Sequence, residues 1–393
     1  MPLLTQKAAL LAAVETISGT AVATTGASNA ILVSDPSWSV EAEEITRSFA
    51  RNDFSTFPSV FSQRRAQVTF STEVRGGGVA DQDADWGVLL RGCGFGRAAQ
   101  TGTARTISAS PTGAVRNAGG DTATFTTSTA HSLTVGQTVV VAGVTPTTFN
   151  GTFVVATTPT ATTFTVANAG TASQTGGGGT ASLVTGILYT PRTDALDTLT
   201  MRIYFDGIEH VMTGCMGTFQ ITAEAGGIAT CEWTFTGTYS TPTAVAMPVQ
   251  TLNQTIPPLV QQAGLSWNGS TAGLFAGSFN IDMANEIALR RDVNAAFGLD
   301  SVFISGRNPT GSFTPEASTA LSSSFWTDWG ASTTRVFSVQ VGSAQGNTVI
   351  FSAPATQIMG VTYGDRDNIR TYDVNLAFRR GAAGNDELTV LFD

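Results

Sequence analysis

The sequence predicts an all-β protein with short flanking helices. It has two duplicated β-sandwich or barrel domains, with a small immunoglobulin-like or similar β-domain inserted into the first. Three observations carry this prediction. A strand is written twice, as Ile228-Ala229-Thr230-Cys231-Glu232-Trp233-Thr234-Phe235 and as Ile369-Arg370-Thr371-Tyr372-Asp373-Val374-Asn375-Leu376. Both copies read Ile, any, Thr, Cys or Tyr, acid, bulky apolar, small polar, bulky apolar, so each has one buried and one wet face at a period of two. Charged residues make up 12% of the 393 residues and there are 42 glycines, a balance that suits many turns and surfaces covered by other copies. Between residues 103 and 183 the chain turns to Thr, Ala and Gly and is almost free of charge, as a separate small unit would be.

From the N-terminus, residues 5–16 read as a short helix or an extended arm. Ile31-Leu32-Val33 is a short strand. Trp38, Val40 and Ala42 then alternate with Ser39, Glu41 and Glu43, a strand with an acidic outer face. From Glu44 to Arg65 the alternation stops, and Arg47, Arg51, Asp53, Arg64 and Arg65 mix with Phe49, Phe54, Phe57 and Phe61. A loop this long is uncommon inside a compact domain and is often functional. It reads as an arm that reaches a neighbouring subunit, with Phe49, Phe54, Phe57 and Phe61 as anchors and Arg47 and Arg51 at the rim. The alternative is a hairpin folded onto its own barrel. Val68, Phe70, Thr72 and Val74 form the next strand, ended by Gly76-Gly77-Gly78. Asp83 to Leu90 reads as a helix whose acidic start suits the helix dipole, with Trp86, Leu89 and Leu90 facing the sheet.

The inserted unit spans 103–183, with strands at Ala123-Thr124-Phe125, Thr138 to Val141, Thr152 to Val155 and Thr163 to Val166. Asn150-Gly151 marks a turn between two of them. The first domain is therefore discontinuous, 1–102 and 184–245. In its second part Met201, Ile203 and Phe205 alternate before a turn at Asp206-Gly207. A proline-bearing linker covers 246–270, and the second domain covers 271–393. There Phe279, Ile281 and Met283 alternate with Asn280 and Asp282, echoing Trp38, Val40 and Ala42 with Ser39 and Glu41. Val302 to Arg307 parallels the strand from Val68 to Arg75, and Thr319 to Trp329 reads as a helix matching the one at Trp86.

Several function classes are excluded on composition. A net charge of −9 argues against holding nucleic acid by its phosphates. Two histidines, His131 and His210, leave little material for histidine catalysis or zinc binding. Cys93, Cys215 and Cys231 lack CxxC spacing and read as reduced, partly buried thiols. No apolar run approaches the ~20 residues that span a bilayer, so no membrane insertion is expected. Asp81-Gln82-Asp83-Ala84-Asp85 begins like a calcium loop, but Trp86 stands where glycine is required and Gly92 where a bidentate Glu is required. Gly92-Cys93-Gly94-Phe95-Gly96 is not a dinucleotide fingerprint. No catalytic residues, metal ligands or cofactor site are expected, and the chain reads as no enzyme. What remains is the acidic face made by Glu41, Glu232, Asp282 and Asp373. A catalytic carboxylate pair should be unique, whereas these acids recur in both repeats; they read either as solvated strand faces or, collectively, as identical faces from several copies that line a channel.

At this point the residues resemble a known group. Lys7, Leu11, Glu15 and Gly19, followed by Asn29-Ala30-Ile31-Leu32-Val33, look like the start of tail tube proteins of long-tailed, siphovirus-type bacteriophages. Gly214-Cys215-Met216-Gly217-Thr218-Phe219, running through Ala225-Gly226-Gly227 to Glu232-Trp233-Thr234-Phe235-Thr236-Gly237, does so too. Asn285-Glu286-Ile287, Arg290 to Asn294 and Ser305-Gly306-Arg307 are similar to the repeat in tube proteins with two fused tube domains. His131-Ser132-Leu133 through Gly136 and Asn150 to Thr165 resemble a small β-module of phage structural proteins. The resemblance implies a virion tail protein assembled in the host cytoplasm. It would pair with itself as a trimer per pseudo-hexameric ring, and the rings would stack into a tube. Its partners would be the tape measure, tail terminator and tail tip proteins, and double-stranded DNA passing during ejection without tight binding. The rival reading is a carbohydrate- or surface-binding adhesin or baseplate-type protein acting through the inserted domain. That stretch holds only Phe125, Phe149, Phe153 and Phe164 as aromatics, which is poor material for stacking on sugars.

Overall fold

Ala8–Val14 sets the frame of the N-terminal half, and it is a strand. Its seven residues, AALLAAV, are apolar throughout and carry neither a helical nor an alternating period. It pairs with Leu199–Phe205 on one edge and Ala30–Ile31 on the other, so it is neither the helix nor the free arm that residues 5–16 suggested. Cover on both faces selects the strand where periodicity is silent.

The computed structural model describes residues 3–4, 6–117, 122–168, 172–261, 263–269, 271, 274–295, 297–381 and 384–393. The first half holds β1 (Ala8–Val14), β2 (Ala30–Ile31), β3 (Ser34–Ile45), β4 (Val60–Glu73), α1 (Gly87–Gly92) and β5 (Phe95–Gln100). Next come β6 (Arg105–Thr106), β7 (Ala114–Arg116), β8 (Thr122–Thr126), β9 (Thr138–Ala142), β10 (Gly151–Thr160), β11 (Thr163–Ala167), β12 (Gln174–Gly176) and β13 (Thr180–Leu183). The first half then resumes with β14 (Gly186–Pro191), β15 (Leu199–Phe205), β16 (Ile208–Glu224), β17 (Thr230–Tyr239) and β18 (Thr243–Ala244). The second half holds β19 (Ser266–Trp267), β20 (Ala276–Asp282), β21 (Asn285–Arg291), β22 (Leu299–Arg307), β23 (Thr310–Pro315) and α2 (Thr319–Gly330). It ends with β24 (Thr334–Val341), β25 (Val349–Arg366), β26 (Ile369–Phe378) and β27 (Thr389–Phe392).

The strand written twice is β17 and β26. Cys231, Trp233 and Phe235 are buried on the first, and Tyr372, Val374 and Leu376 on the second. Glu232 and Asp373 lie exposed on the opposite faces. The ladders around the two strands match. β3 pairs β4, β4 pairs β17 and β17 pairs β16; likewise β20 pairs β23, β23 pairs β26 and β26 pairs β25. The two sets join directly, because the far end of β16 pairs antiparallel with β20, Ile221 opposite Ile281 and Gln220 opposite Asp282. A second seam runs through β27, which lies between β14 and β25.

Behind this sheet the core is aromatic. Trp86 meets Trp233 at 6.0 Å and Phe392 at 4.8 Å between ring centroids. In the second half Phe313, Phe325 and Trp267 form the matching cluster, at 5.8–6.2 Å. Burying each such ring stabilises the fold by about 2–3 kcal/mol. Trp86, Leu89 and Leu90 face the sheet from α1 as expected, but α1 begins at Gly87 and not at Asp83. The acids before it have other partners: Asp83 accepts from Tyr189 Oη (2.9 Å) and pairs with Arg97 (2.6 Å), and Asp85 pairs with Arg75 (2.8 Å).

Strands β6 to β13 form their own eight-stranded sheet around Phe125, Phe149 and Phe164. Its chain leaves after β5 and returns at β14, where Gln100 faces Gly186 in one ladder. Asn150-Gly151 is not a two-residue hairpin turn. β9 and β10 are joined by residues 143–150, and Asn150 braces that loop by accepting from Val144 N (2.8 Å) and donating to Val144 O (3.0 Å).

Candidate assembly surfaces

Residues opposite one another in a ladder share a face, and this places the four acids. Glu232 faces Gln220, and Gln220 in turn faces Asp282, so the two carboxylates flank one amide in a single row across the seam between the halves. Asp373 lies on the same face through Asn375, Ser312 and Asn280. Glu41 is on that face too, but at the outer end of β3, where it is ion-paired to Arg65. The rest of the face is hydroxyl- and amide-rich: Thr69, Ser71, Thr218, Thr222 and Thr234. Two acids that the alternation did not single out join it. Glu224 extends the row of Gln220 and Thr222, and Glu73 follows Ser71 while pairing with Arg75 at 3.4 Å. Their signal was present, since each keeps the period of two with a residue already placed.

The ladders also correct two alignments between the halves. Because Glu232 matches Asp373, following the pairs outward matches Val68 with Gly311, and hence Trp38 with Ile281. Asp282 therefore corresponds to Ser39 and not to Glu41. By the same path Val302 to Arg307, in β22, corresponds to the outer part of β4 and not to Val68–Arg75. A shift of two residues leaves an alternating pattern unchanged, so the pattern could set the face but not the register.

The loop between β3 and β4 is exposed along its length. Residues 46–58 make no strand and every one of them is exposed, but the irregular stretch is shorter than Glu44 to Arg65: Glu44–Ile45 and Val60–Arg65 continue β3 and β4 as a paired hairpin, with Phe61 in β4 opposite Glu44. Phe54 is fully exposed and Phe49, Phe57 and Phe61 are 41–57% exposed. The rings are held by charge: Arg47 lies 5.5 Å from the Phe49 ring and 5.9 Å from Phe57, Arg51 lies 5.1 Å from Phe57, and Phe49 and Phe57 meet edge to face at 5.5 Å. Cation–π contact of this kind orders an apolar loop in water at about 0.5–1 kcal/mol a pair.

Two long strand edges on the sheet that joins the repeats are left open among the described residues. β3 pairs only with β4, and the Ile358–Arg366 end of β25 pairs only with β26. Open edges of this length invite another chain.

The remaining chemistry is structural. His131 Nδ1 accepts from Leu133 N (2.9 Å), while Nε2 lies 3.1 Å from the carbonyls of Thr160 and Thr163, which only accept, so Nε2 carries the proton. His210 packs on Trp38 (4.8 Å) and Phe205 (5.7 Å). All three cysteines are buried, and burial pushes each thiol well above its ordinary pKa. In the β6–β13 unit Phe125, Phe149 and Phe164 are fully buried and Phe153 packs against them, so none is displayed for sugar stacking. Among the described residues no group of three or more His, Cys, Asp and Glu could hold a metal, and no helix is long and apolar enough to cross a membrane.

A model of the family described as phage tail tube protein matches residues 179–379, just over half of the chain. The chain belongs to the phage tail tube protein family. The matched stretch runs from the start of β13 through both copies of the repeated strand and across the β16–β20 seam. Comparison with curated proteins gives no match. Membership makes this tail tube protein a structural component of the virion tail that self-assembles into a tube, and not an enzyme. Its nearly all-β architecture with two short helices agrees with that family.

Proposed function

We propose that this tail tube protein builds rings of three copies. Each copy supplies two tube repeats, in a tail of the long, siphovirus type. The observation that carries this is the seam between β16 and β20, flanked by open edges on β3 and β25. The two repeats are already joined edge to edge within one chain, and the same kind of edge is left free at both ends. A head-to-tail contact of this sort is heterologous and closes into a ring when the rotation allows. Six repeats in a ring require three chains.

The face that carries Glu232, Asp282, Asp373 and Glu41 lines the lumen in this reading. A fixed negative wall repels phosphate, so double-stranded DNA slides during ejection without being trapped. Arg47 to Phe61 reaches the next ring, with its phenylalanines as anchors. The unit formed by β6 to β13, residues 103–183, is an inserted domain on the outside of the tube, between the 1–102 and 184–245 parts of the first tube domain. Residues 246–270 link to the second, 271–393. The tape measure, terminator and tip proteins are the expected axial partners, and assembly takes place in the host cytoplasm.

Negative-stain microscopy of the purified protein over a concentration series tests the reading. Hollow tubes of stacked rings with three-fold symmetry are expected. Discrete particles that persist in the presence of a tail tip initiator would overturn it. Deleting Phe49 to Phe61 should leave folded protein that cannot stack, and normal tubes from that deletion would remove the arm. Neutralising the four acids should slow ejection, and an unchanged rate would remove the lumen assignment.

A further inference from the structure

We infer that the open edge of β25 takes β3 of a second copy of this chain in a fixed antiparallel register, with Thr362 opposite Ser39 and Tyr363 opposite Trp38. This contact rests on the ring reading and supplies the joint between its copies. The closed seam within one chain is the template. There Gln220 faces Asp282 and Ile221 faces Ile281. Glu232 faces Gln220 and Cys231 faces Ile221; the corresponding Asp373 and Tyr372 face Thr362 and Tyr363. Thr362 and Tyr363 are therefore the counterparts of Gln220 and Ile221. On the other side, Ser39 and Trp38 are the counterparts of Asp282 and Ile281, through Gln67 and Val68 against Thr310 and Gly311. Copying the seam's pairs onto the free edges gives the register.

Burial at the two places differs as an unfilled copy of the same contact should. At the seam Ile221, Ile281 and Met283 are 0% exposed. On the open edges Tyr363 is 55% exposed, Met359 four residues before it 52%, and Val40, the counterpart of Met283, 47%. Apolar side chains of this size left out on bare strand edges mark a surface made to be covered. Over the proposed pairs the edges carry neither proline nor charge; Pro36, Glu41, Asp365 and Arg366 lie outside that stretch. Ile358 to Gly364 of β25 and Ser37 to Val40 of β3 hold no proline and no charged residue. Pairing there by main-chain hydrogen bonds is strand addition, with the side chains setting register. Beside the seam, Asn285 of the incoming hairpin donates to the carbonyls of Gly217 and Cys93 (2.9 Å each), and Met283 N donates to Phe219 O (3.0 Å). The outer part of the β3–β4 hairpin is placed to lie across the neighbouring copy in the same way as β21 and β22 lie across β16 and β17.

The test is disulfide trapping in the full chain. The double variant S39C/T362C places two thiols directly opposite across the contact, whereas E41C/T362C is slipped by two residues. Directly opposite Cβ atoms lie about 4.5–5.5 Å apart and diagonal ones about 7–8 Å, and a disulfide needs about 3.5–4.5 Å. After mild oxidation of assembled material, S39C/T362C should run as covalent species on a denaturing gel without reductant, and E41C/T362C as monomer. The native cysteines are buried and do not compete. Assembled tubes in which S39C/T362C stays monomeric, or in which the slipped pair links instead, would overturn the register and leave the tube reading intact. A covalent ladder that stops at three chains supports both, and one that runs on supports the register while refuting the closed ring of three. Protein that neither links nor assembles refutes both.

Discussion

Tyr363 stands in the second repeat where Ile221 stands in the first, yet Ile221 is fully buried and Tyr363 is 55% exposed. The difference is the strand beside them. Ile221 lies against β20 of its own chain, and Tyr363 faces the open side of β25. Substitution at the two sites should therefore separate folding from assembly. Ile221→Ala removes a fully buried side chain and should cost about 3 kcal/mol in the unassembled protein. Tyr363→Ser loses contacts with Tyr372 (5.2 Å) and Arg370 (5.3 Å) and should cost about 1 kcal/mol there. The effect on tube yield should run the other way, with Tyr363→Ser abolishing tubes from folded protein. Chemical denaturation of dilute protein, read beside sedimentation of assembled material, measures both.

Glu15 ties the N-terminal strand to the rest of the first repeat. Its carboxylate is buried and accepts four hydrogen bonds: from Gly19 N (2.7 Å), Thr198 Oγ1 (2.6 Å), Thr200 Oγ1 (2.9 Å) and Gly214 N (2.9 Å). Glu15→Ala strands these donors in a dry site and should cost about 3 kcal/mol. Glu15→Gln should be little better, because at either position its amide nitrogen would face a backbone N–H, Gly19 N or Gly214 N, which cannot accept. A Gln variant as stable as the native protein in urea would show that the charge and acceptor set are dispensable.

The three thiols should be silent in the native protein. Cys93, Cys215 and Cys231 are buried, and burial raises each pKa, so neither access nor thiolate is available to a maleimide or a disulfide reagent. All three should react at once on unfolding. Labelling followed by intact-mass measurement, with and without denaturant, gives the count directly.

The faces of the sheet were legible in the sequence, and the partners of its edges were not. Alternation at Cys231, Trp233 and Phe235 fixed which side chains enter the core, and its recurrence at Tyr372, Val374 and Leu376 revealed the duplication. The same alternation is blind to a slip of two, which is why Asp282 aligned with Glu41 when the ladders place it with Ser39. The uniform apolar run of Ala8–Val14 gave no period to read, and tertiary cover decided it. Helix α1 started late because Asp83 and Asp85 serve Arg97, Tyr189 and Arg75, long-range contacts that no local pattern encodes. The open edges of β3 and β25 are a property of main-chain pairing, and main-chain groups are the same in every residue but proline.

Glu209 and Tyr204 should give stability a dependence on pH at both ends of the scale. Burial pushes the Glu209 carboxyl up, but hydrogen bonds from Tyr204 Oη (2.7 Å) and Arg202 (2.8 Å) together outweigh it and hold its pKa below the ordinary value. A carboxylate depressed in the folded state contributes stability above its unfolded pKa of about 4.3, and that contribution is lost as pH falls through the folded value. Tyr204 is shifted the other way, up to about 12, first by burial and then by its hydrogen bond to Glu209. The unfolded phenol loses its proton near pH 10 while the folded one keeps it, so stability should fall between about pH 10 and pH 12. Denaturation midpoints across both windows check this, with Glu209→Gln flattening the acid limb and Tyr204→Phe the alkaline one. An acid limb of the same slope in Glu209→Gln would place the sensitivity at other carboxylates. An alkaline limb unchanged in Tyr204→Phe would point to Tyr189, which burial raises further still beside Asp83.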